Sequence, residues 1–388
     1  MKPSALQYRL HDSIQEVEES QWDWLAPRDQ PLATHRFVRL CEDSAIEKSI
    51  YRHVMVYDHQ GLAATATLCC MNAPLDALAP PFIRKALHVL RGGSPRFMSL
   101  PVVFCGLPVS LGQAPLTFRQ DTDRPAVLAL IDQLMHEFAS ETGSSTLVFK
   151  EFAMLEECAE AALVERGYLK LPSLPYHKLA LHWDSFEEYL LAMRSGYRRQ
   201  VRQVREKASI AGLTIERLDD CGIECRCLHD LYLQLMQETD NWLEKLPLTF
   251  FERLSRTFNG NTHALLMRHE GSVIASAILL SWGHSITFLL AGIDQQFNRK
   301  MHVYPHLLAC VVADAIESRA AVLNLGQTSD FLKSRFGSST IPRCIFLRHR
   351  KPAAHWLIGR SSGILFPDKR TVSRRVFAVE KGGWAPTC

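Results

Sequence analysis

Residues 292–308 read GIDQQFNRKMHVYPHLL, residues 322–327 read VLNLGQ and residues 331–337 read FLKSRFG. This order predicts a strand, a polar loop, a helix that begins at Pro305, a second strand and a short turn that carries a lysine. A loop that leads into a helix N-terminus can hold a phosphate through backbone amides and the helix dipole. We therefore expect a phosphate-bearing donor to bind at this stretch.

Composition limits the class of protein. The chain has 388 residues, of which 47% are hydrophobic and 22% charged, enough for two domains with full cores. Its 44 Lys and Arg against 41 Asp and Glu leave a charge of +3, too small to predict nucleic acid as the main partner. No stretch resembles a signal peptide or a membrane helix, so we expect a cytoplasmic protein without membrane insertion.

The cysteines lie mostly in apolar segments, as Cys69, Cys70 and Cys310 do, which is typical of buried thiols in a reducing compartment. No disulfides are expected. The group Cys221, Cys225, Cys227 and His229 lacks the paired two-residue spacings of a structural zinc site. We interpret it as part of a helix that runs to about residue 240 and predict no metal.

The two halves of the chain carry the same series of elements. Residues 51–70 and residues 262–280 each read as a hairpin with a glycine at its turn, Gly61 in the first and Gly271 in the second. A strand, a helix and another strand follow in each half, at residues 97–110, 125–142 and 146–152 and at residues 285–294, 305–319 and 321–326. Strand, helix and strand at this spacing predict a parallel crossover in a mixed sheet. The fold class is therefore α/β, with two tandem domains, each a mixed twisted sheet flanked by helices.

The domain boundary is expected near Trp183, because Asp184 or Ser185 can cap a new helix with acidic residues in its first turn. The division is an N-terminal domain at residues 1–183, a C-terminal domain with the donor site at 184–350 and an extension at 351–388. The new helix is expected to run to Gly212 with a bend at Gly196. For the extension, the sequence is compatible with either a hairpin or a loosely attached arm.

Three arginines share one face of that helix. Arg198, Arg202 and Arg205 are spaced i, i+4 and i+7, and within this segment Glu206 is the acidic residue that offsets them. One interpretation is a solvated helix face. The other is an electrostatic clamp that binds an anionic substrate.

These residues resemble the GNAT acyltransferase superfamily, and within it the tandem branch that includes the Fem-type aminoacyl transferases. The resemblance rests on the basic helix, the hairpin at Gly271, Asp294, the segment before Pro305 and the strand and turn that end in Lys333 to Gly337. It covers residues 184–345, and the internal duplication extends it to residues 20–180. It implies an activated acyl donor, usually acyl-CoA or acetyl-CoA, held where two central strands separate.

The resemblance places the donor in the segment from Phe297 to Tyr304. The glycine-rich signature of the superfamily is absent there, because Gln296 is followed by Phe, Asn, Arg, Lys and Met. Cations can replace glycine-loop amides as phosphate ligands. The predicted donor-binding residues are Arg299, Lys300, Met301, Val303 and Gln327. Some tandem members take the acyl group from aminoacyl-tRNA, which stays open as an alternative donor.

Transfer to an amine requires a base and a group that stabilises the oxyanion, but no covalent nucleophile. Asp294 and His302 are the candidate bases, and Tyr304 is the candidate acid. Lys333 matches a lysine that the resemblance implies in substrate binding or charge stabilisation. The plain alternatives are a cap at Asp294, an exposed His302, a packing role for Tyr304 and a surface Lys333.

The candidate substrate-binding residues are Arg198, Arg202, Arg205 and Trp242, with the acceptor a small-molecule or peptide amine. The function predicted is a GNAT-type N-acyltransferase that works by direct attack in a ternary complex. One alternative is a Fem-like, aminoacyl-tRNA-dependent transferase, for which the basic helix would contact tRNA phosphates. The other is a catalytically silent tandem GNAT binding protein.

Overall fold

The computed structural model describes residues 6–74, 99–114, 116–153, 157–237, 244–366 and 374–378. The strands within these ranges are β1 Gln7–His11, β2 Ile50–Asp58, β3 Gly61–Pro74, β4 Ser99–Cys105, β5 Leu116–Phe118, β6 Thr146–Ala153, β7 Leu169–Pro172, β8 Tyr176–Ala180, β9 Thr214–Leu218, β10 Thr262–His269, β11 Ser272–Trp282, β12 Ser285–Ile293, β13 Val322–Gly326, β14 Ser339–Ile341 and β15 Arg343–His349. The helices are α1 Glu19–Asp23, α2 His35–Asp43, α3 Arg124–Glu141, α4 Glu157–Glu165, α5 Phe186–Ala192, α6 Ser195–Ile210, α7 Cys225–Gln237, α8 Leu248–Thr257, α9 Gln295–Met301, α10 Val303–Glu317, α11 Asp330–Arg335 and α12 Pro352–Leu365.

The strands form two mixed sheets. The first has the order β1-β2-β3-β4-β6-β15-β7, with β5 paired to β3. The second has the order β14-β8-β13-β12-β11-β10-β9. In each sheet one central pair is parallel, β4 with β6 and β12 with β13, and it is joined by a long helix, α3 or α10. The expected α/β class and the duplicated mixed sheet flanked by helices are confirmed.

The repeated hairpins form as the sequence predicted. Glu270 and Gly271 both adopt positive φ, at 48° and 81°, between β10 and β11. Two consecutive positive φ values are typical of the tight turns that match the twist of paired strands. Ile274, Ala275 and Ala277 of β11 are almost fully buried in the core of the second sheet.

Each sheet takes one strand from the other half of the chain. Strand β8, which follows the first repeat, pairs with β13 and β14 in the second sheet. Strand β15, which follows the second repeat, pairs with β6 and β7 in the first sheet. The sheets are thus completed by exchange.

The exchange explains why the compact units are discontinuous in sequence. The first unit comprises residues 1–174, 236–258 and 342–370, and the second comprises residues 175–235, 259–341 and 371–388. The expected ranges, 1–183 and 184–350, describe a contiguous division instead. The difference arises because β8 precedes the expected boundary, whereas α8 and β15, both of the first unit, follow it.

The segment after Asp184 is two helices, which differs from the single bent helix that we expected. Ser185 caps α5 by accepting a hydrogen bond from the amide of Glu188. The chain is extended at Met193 and Arg194, and α6 then begins at Ser195. The extension contains a helix, α12, and no hairpin in its described part. No described helix combines the length and apolar character required to cross a membrane.

Candidate active site in the second unit

The parallel strands β12 and β13 separate after a short paired segment. Their ladder runs from Ser285 and Val322 to Thr287 and Asn324. Beyond it, β12 continues to Ile293, while Gly326 adopts a positive φ of 69° and pairs with His177 of β8. This divergence opens the sheet between the C-terminal ends of two parallel strands, where α/β sheets bind ligands.

The segment between β12 and α10 is helical, which corrects the expectation of a polar loop from Phe297 to Tyr304. Asp294 caps α9 by accepting a hydrogen bond from the amide of Gln296 at 2.9 Å. Residues 295–301 contain neither Gly nor Pro, so the capped segment continues as a helix. His302 then adopts a left-handed conformation, with φ 53°, and α10 begins at Val303 rather than at Pro305.

Several backbone amides at the start of α10 are already hydrogen-bonded within the protein. The amide of Tyr304 donates to Oδ1 of Asn298 at 3.2 Å, and the amide of His306 donates to the carbonyl of His302 at 3.4 Å. Pro305 has no amide hydrogen. The dipole of this 15-residue helix still favours an anion at its N-terminus, but fewer amides are free than the sequence predicted.

A cavity of about 340 Å³ lies beside this helix end. Its wall consists of residues from α6, from the start of α10 and from α11 and the residue that follows it. They are Tyr197, Gln200, Val201, Gln203, Val204, Lys207, His302, Pro305, Phe331, Leu332, Arg335 and Phe336. The wall is largely apolar and carries two cations, Lys207 and Arg335. Such a combination suits a ligand with an apolar arm and an anionic group.

Arg335 has an unsatisfied donor at this cavity. Its Nε atom is buried without a hydrogen-bond partner, and its guanidinium lies 4.6 Å from the centre of the Phe331 ring. Stacking on an aromatic ring holds a guanidinium in place while leaving its N–H groups available. Arg335 is therefore suited to bind a phosphate.

Lys333 lies on the other side of α11 and is 2% exposed. Burial lowers the pKa of its ammonium to about 7, and the Asp330 carboxylate opposes that shift. The Oδ1 atom of Asp330 lies 3.1 Å from Nε2 of His177, whose Nδ1 lies 3.2 Å from Oγ of Ser338. Burial, together with the charge of Lys333, lowers the pKa of His177 to about 4. At neutral pH this cluster holds a neutral imidazole, a carboxylate and an amine that is close to its own pKa.

Tyr304 is half-buried in the first turn of α10. Burial raises the pKa of its phenol, and a hydrogen bond from Ser329 opposes the shift. The phenol therefore keeps its proton at neutral pH and can donate it. Ser329 precedes α11, so Tyr304 and the lysine-bearing helix belong to one local arrangement.

The other predicted catalytic residues have different positions. His302 is exposed and lines the cavity. Asp294 acts as the cap of α9, one of the plain alternatives considered from the sequence.

The predicted donor-binding residues are not equivalent in the structure. Lys300 is exposed, Met301 packs against the core, and Val303 is fully buried, so its side chain is unavailable to a ligand. Gln327 is half-buried after β13 and has an interaction partner. The side chain of Arg299 lies outside the described part of the chain.

The arginine face of α6 is engaged within the second unit. Arg198 donates to the carbonyls of Leu191 and Met193 at 3.2 and 3.1 Å and so caps α5. Arg202 and Arg205 lie 3.1 and 3.6 Å from the carboxylate oxygens of Glu187. Their charge is offset by an acidic residue from outside the segment considered in the sequence. Trp242, the fourth predicted substrate-binding residue, lies outside the described residues.

Sequence reasoning missed His177 and the cavity wall of α6. His177 belongs to β8, and the strand exchange that brings it to Asp330 leaves no local signal. Gln200 and Gln203 look like ordinary surface residues of a helix. The i, i+3, i+4 and i+7 spacing of Tyr197, Gln200, Val201 and Val204 was a signal that could have identified a shared face. In the part of the chain that the structure describes, no group of three or more His, Cys, Asp or Glu residues is arranged to hold a metal.

The chain is similar to known proteins over most of its length. A family described as peptidoglycan biosynthesis/recognition, FemAB-like, matches residues 103–287. A putative 8-amino-7-oxononanoate synthase 2 from Mycobacterium tuberculosis is 28% identical over 331 residues, which are 82% of this chain and 42% of that protein. The chain thus spans less than half the length of this curated relative.

Two solved structures share the fold. The crystal structure of FemX superposes with a TM-score of 0.54 at 14% identity, covering 91% of this chain and 100% of FemX. A tandem GNAT protein from the clavulanic acid biosynthesis pathway superposes with a TM-score of 0.55 at 11% identity, covering 90% of this chain and 99% of that protein. At these identities the superpositions establish the fold alone, and the family match covers slightly less than half of the chain. Together they show that the chain has the same fold as FemX and this tandem GNAT protein, and that its residues 103–287 are similar to the FemAB-like family.

Proposed function

We propose that the chain is an N-acyltransferase that moves an acyl group from an acyl-CoA thioester, such as acetyl-CoA, to a small-molecule or peptide amine in a ternary complex. The observation that carries the proposal is the cavity at the N-terminus of α10, with Lys207 and Arg335 in its wall. The cytoplasmic location expected from the sequence is part of the same proposal.

The cavity supports a donor with phosphates and an apolar arm. Arg335 and Lys207 provide cations for phosphate oxygens, and the N-terminus of α10 adds its dipole. Val201, Val204 and Phe336 provide an apolar wall for a pantetheine-like arm. A volume of about 340 Å³ accommodates part of such a donor, with the remainder in solvent.

The chemical step needs a proton acceptor for the attacking amine and a proton donor for the leaving thiolate. Lys333, with a pKa of about 7, is the proton acceptor in this proposal. Tyr304 is the donor, because its phenol remains protonated. His302 contacts the donor in the cavity, and Asp294 positions His302 by capping the helix that ends there.

The proposal is tested with coenzyme A and acetyl-CoA as probes. We expect both to raise the melting temperature, with a weak dependence on salt, and acetyl-CoA to release free thiol when a panel of primary amines is supplied. Absence of a thermal shift at millimolar coenzyme A would reject the CoA donor. Unchanged thiol release in Lys333→Ala would reject the assigned chemistry.

A second candidate is an aminoacyl-tRNA-dependent transferase, which the FemAB-like match favours. For this function α6 would contact tRNA phosphates, after Arg202 and Arg205 exchange Glu187 for RNA. Charged tRNA would then protect the protein against thermal unfolding, and added salt would abolish the protection steeply. If the chain is a catalytically silent binding protein, neither coenzyme A nor charged tRNA is expected to stabilise it against thermal unfolding.

A further inference from the structure

The first unit contains a small cavity that the proposed function does not use. Its volume is about 40 Å³, enough for roughly three waters or an acetyl-sized group. Polar groups from β3, β5 and β6 and from the segment after β4 converge on it. They are Thr65, Thr67, Ser110, Gln113, Thr117 and Lys150.

One of these groups, Thr67, is hydrogen-bonded to the imidazole of His53. Thr67 and His53 are directly opposite on β3 and β2, and Oγ1 of Thr67 lies 3.2 Å from Nδ1 of His53. The Nε2 atom of His53 lies 2.9 Å from Oε2 of Glu42 on α2. A hydroxyl, an imidazole and a carboxylate in this order are the arrangement that activates hydroxyl nucleophiles.

The hydrogen bonds fix the direction in which protons can move. Glu42 also accepts from the amide of Ile14 at 2.9 Å and from the hydroxyl of Ser13, and these bonds help to hold its pKa below the usual range. An ionised Glu42 can only accept, so Nε2 of His53 carries the hydrogen. Nδ1 is then the acceptor for the hydroxyl hydrogen of Thr67, which leaves the oxygen lone pairs of Thr67 for the cavity.

The ring of His53 is also fixed by its neighbours. It stacks on Tyr51 with ring centres 6.1 Å apart, and the edge of Trp22 meets it at 5.9 Å. Burial lowers the pKa of His53, so the ring is neutral at pH 7 and able to accept a proton. Trp22 lines the cavity as well.

Lys150 supplies a positive charge to the same cavity. Its ammonium donates to the carbonyls of Leu107 and Pro108 at 2.9 and 3.0 Å, and it lies 5.5 Å from the centre of the Phe104 ring. An ammonium has three N–H groups, so these two bonds leave one for a ligand. Burial raises the pKa of nearby Glu244 to about 7, so that acid neutralises Lys150 only in part at neutral pH.

From this geometry we infer that the first unit holds a second acyl-transfer site, in which Thr67 is the nucleophile toward a small activated ester or thioester. The oxygen of Thr67 bonds to the carbonyl carbon as its proton passes to Nδ1 of His53. Lys150 stabilises the oxyanion. The bond from carbon to the leaving oxygen or sulfur then breaks, and that atom takes the proton from His53. The product is an acyl ester on Thr67 and a free alcohol or thiol.

The test uses p-nitrophenyl acetate as the probe with the full chain. We expect a burst of nitrophenolate close to one equivalent, and an acetyl group mapped to Thr67 by peptide mass spectrometry. Thr67→Val should abolish the burst, Thr67→Ser should retain it, and His53→Gln should slow it by about 100-fold or more.

Thr122→Val is the matched control, because Thr122 belongs to the same unit and its hydroxyl donates to the carbonyl of Ala63 at 3.1 Å, but it is not part of the cavity wall. We expect the burst of this variant to be unchanged. Acetylation that maps elsewhere, or the absence of a burst from the wild-type chain, would overturn the inference even if the Thr67 variants failed to fold. Either result would leave the donor site of the second unit unaffected.

Discussion

The Nε2 atom of His177 lies 3.1 Å from the Oδ1 atom of Asp330, and the same carboxylate opposes the shift that burial imposes on Lys333. His177 comes from β8, and Asp330 begins α11. Because the imidazole is neutral above pH 4, the carboxylate has one buried cation to stabilise. The protonation of Lys333 should therefore depend on Asp330 more than on His177.

Replacement of Lys333 by methionine should increase stability most at low pH. The pKa of Lys333 is about 7 in the folded chain and 10.5 in its unshifted form, so the unfolded chain binds the additional proton between these values. Stability of the wild type should rise with pH across this window, and the cost of the buried charge is fully present below pH 7. Lys333→Met should thus gain on the order of 1–4 kcal/mol at pH 6, less at pH 10. Urea unfolding at both pH values measures this, and an equal gain at both would contradict it.

Replacement of Asp330 by asparagine should shift the pH dependence of acyl transfer. Without the carboxylate the pKa of Lys333 falls further below its ordinary value, so the rise of kcat/KM with pH should move to lower pH. His177→Gln is the control, because His177 carries no charge at neutral pH and its replacement should move the profile little. A profile that stays in place in Asp330→Asn would exclude Lys333 as the titrating base.

Loss of the cavity cations should weaken the coenzyme A binding that we propose for the second unit. Arg335→Ala and Lys207→Ala each remove a cation from the cavity wall, and we expect a rise in Kd of about tenfold for each, measured by titration calorimetry. Arg199→Ala is the matched control, since Arg199 is exposed on the same helix as Lys207 but is not part of the wall. Equal weakening in all three variants would indicate a general charge effect instead of a site.

Two glycines at the ends of the segment 292–337 should not tolerate a side chain. A Cβ on Gly292 would lie 2.6 Å from Cβ of Leu231, and one on Gly337, where φ is 84°, would lie 2.4 Å from the Phe377 ring. We expect Gly292→Ala and Gly337→Ala to lose about 1–3 kcal/mol in the free energy of unfolding.

Gly196 provides the comparison, because nothing lies within 4 Å of its added Cβ and it sits in the first turn of α6. Gly196→Ala should gain about 0.4–1 kcal/mol by reducing the entropy of the unfolded chain. Thermal unfolding of the three variants distinguishes the steric clash expected at Gly292 and Gly337 from the entropic effect expected at Gly196. A loss of the same size at Gly196 would refute the assignment.

Removal of the cap on α9 should destabilise the helix that replaces the expected loop. Asp294→Ala removes the acceptor for the amide of Gln296 and should cost about 0.5–2 kcal/mol, whereas Asp294→Asn retains a capping oxygen and should cost less. Hydrogen exchange of residues 295–301 is the direct measurement. Unchanged protection in Asp294→Ala would show that the helix does not depend on its cap.

The duplicated sheets could be predicted because their evidence is local. The hairpin at Gly271 and the crossover that ends at Gly326 are encoded by short patterns of turn residues and apolar periodicity. Helix α9 was missed because the segment after Asp294 was expected to be a polar loop, even though a cap at Asp294 was one of the alternatives. Arg202 could not be assigned from sequence, since its partner Glu187 approaches across a helix break that local propensity does not reveal.

The pairing of the exchanged strands could not be predicted from local patterns, because nothing in the sequence of β8 or β15 specifies a distant partner. The same holds for the site. Lys333 could be selected from the sequence, but its lowered pKa comes from burial, and its neighbour His177 comes from β8. The triad of Glu42, His53 and Thr67 depends on strand register and on a helix packed nearby, which residue types alone do not provide.

The exchange of β8 and β15 also constrains how the polypeptide can be synthesised and divided. A ribosome must translate as far as His349 before the first sheet can acquire its inserted strand, so the opening between β6 and β7 persists until late in synthesis. Expression of residues 1–183 alone would leave that gap empty and leave β8 without β13. The two repeats should therefore fold together, either as one polypeptide or as coexpressed fragments that exchange these strands.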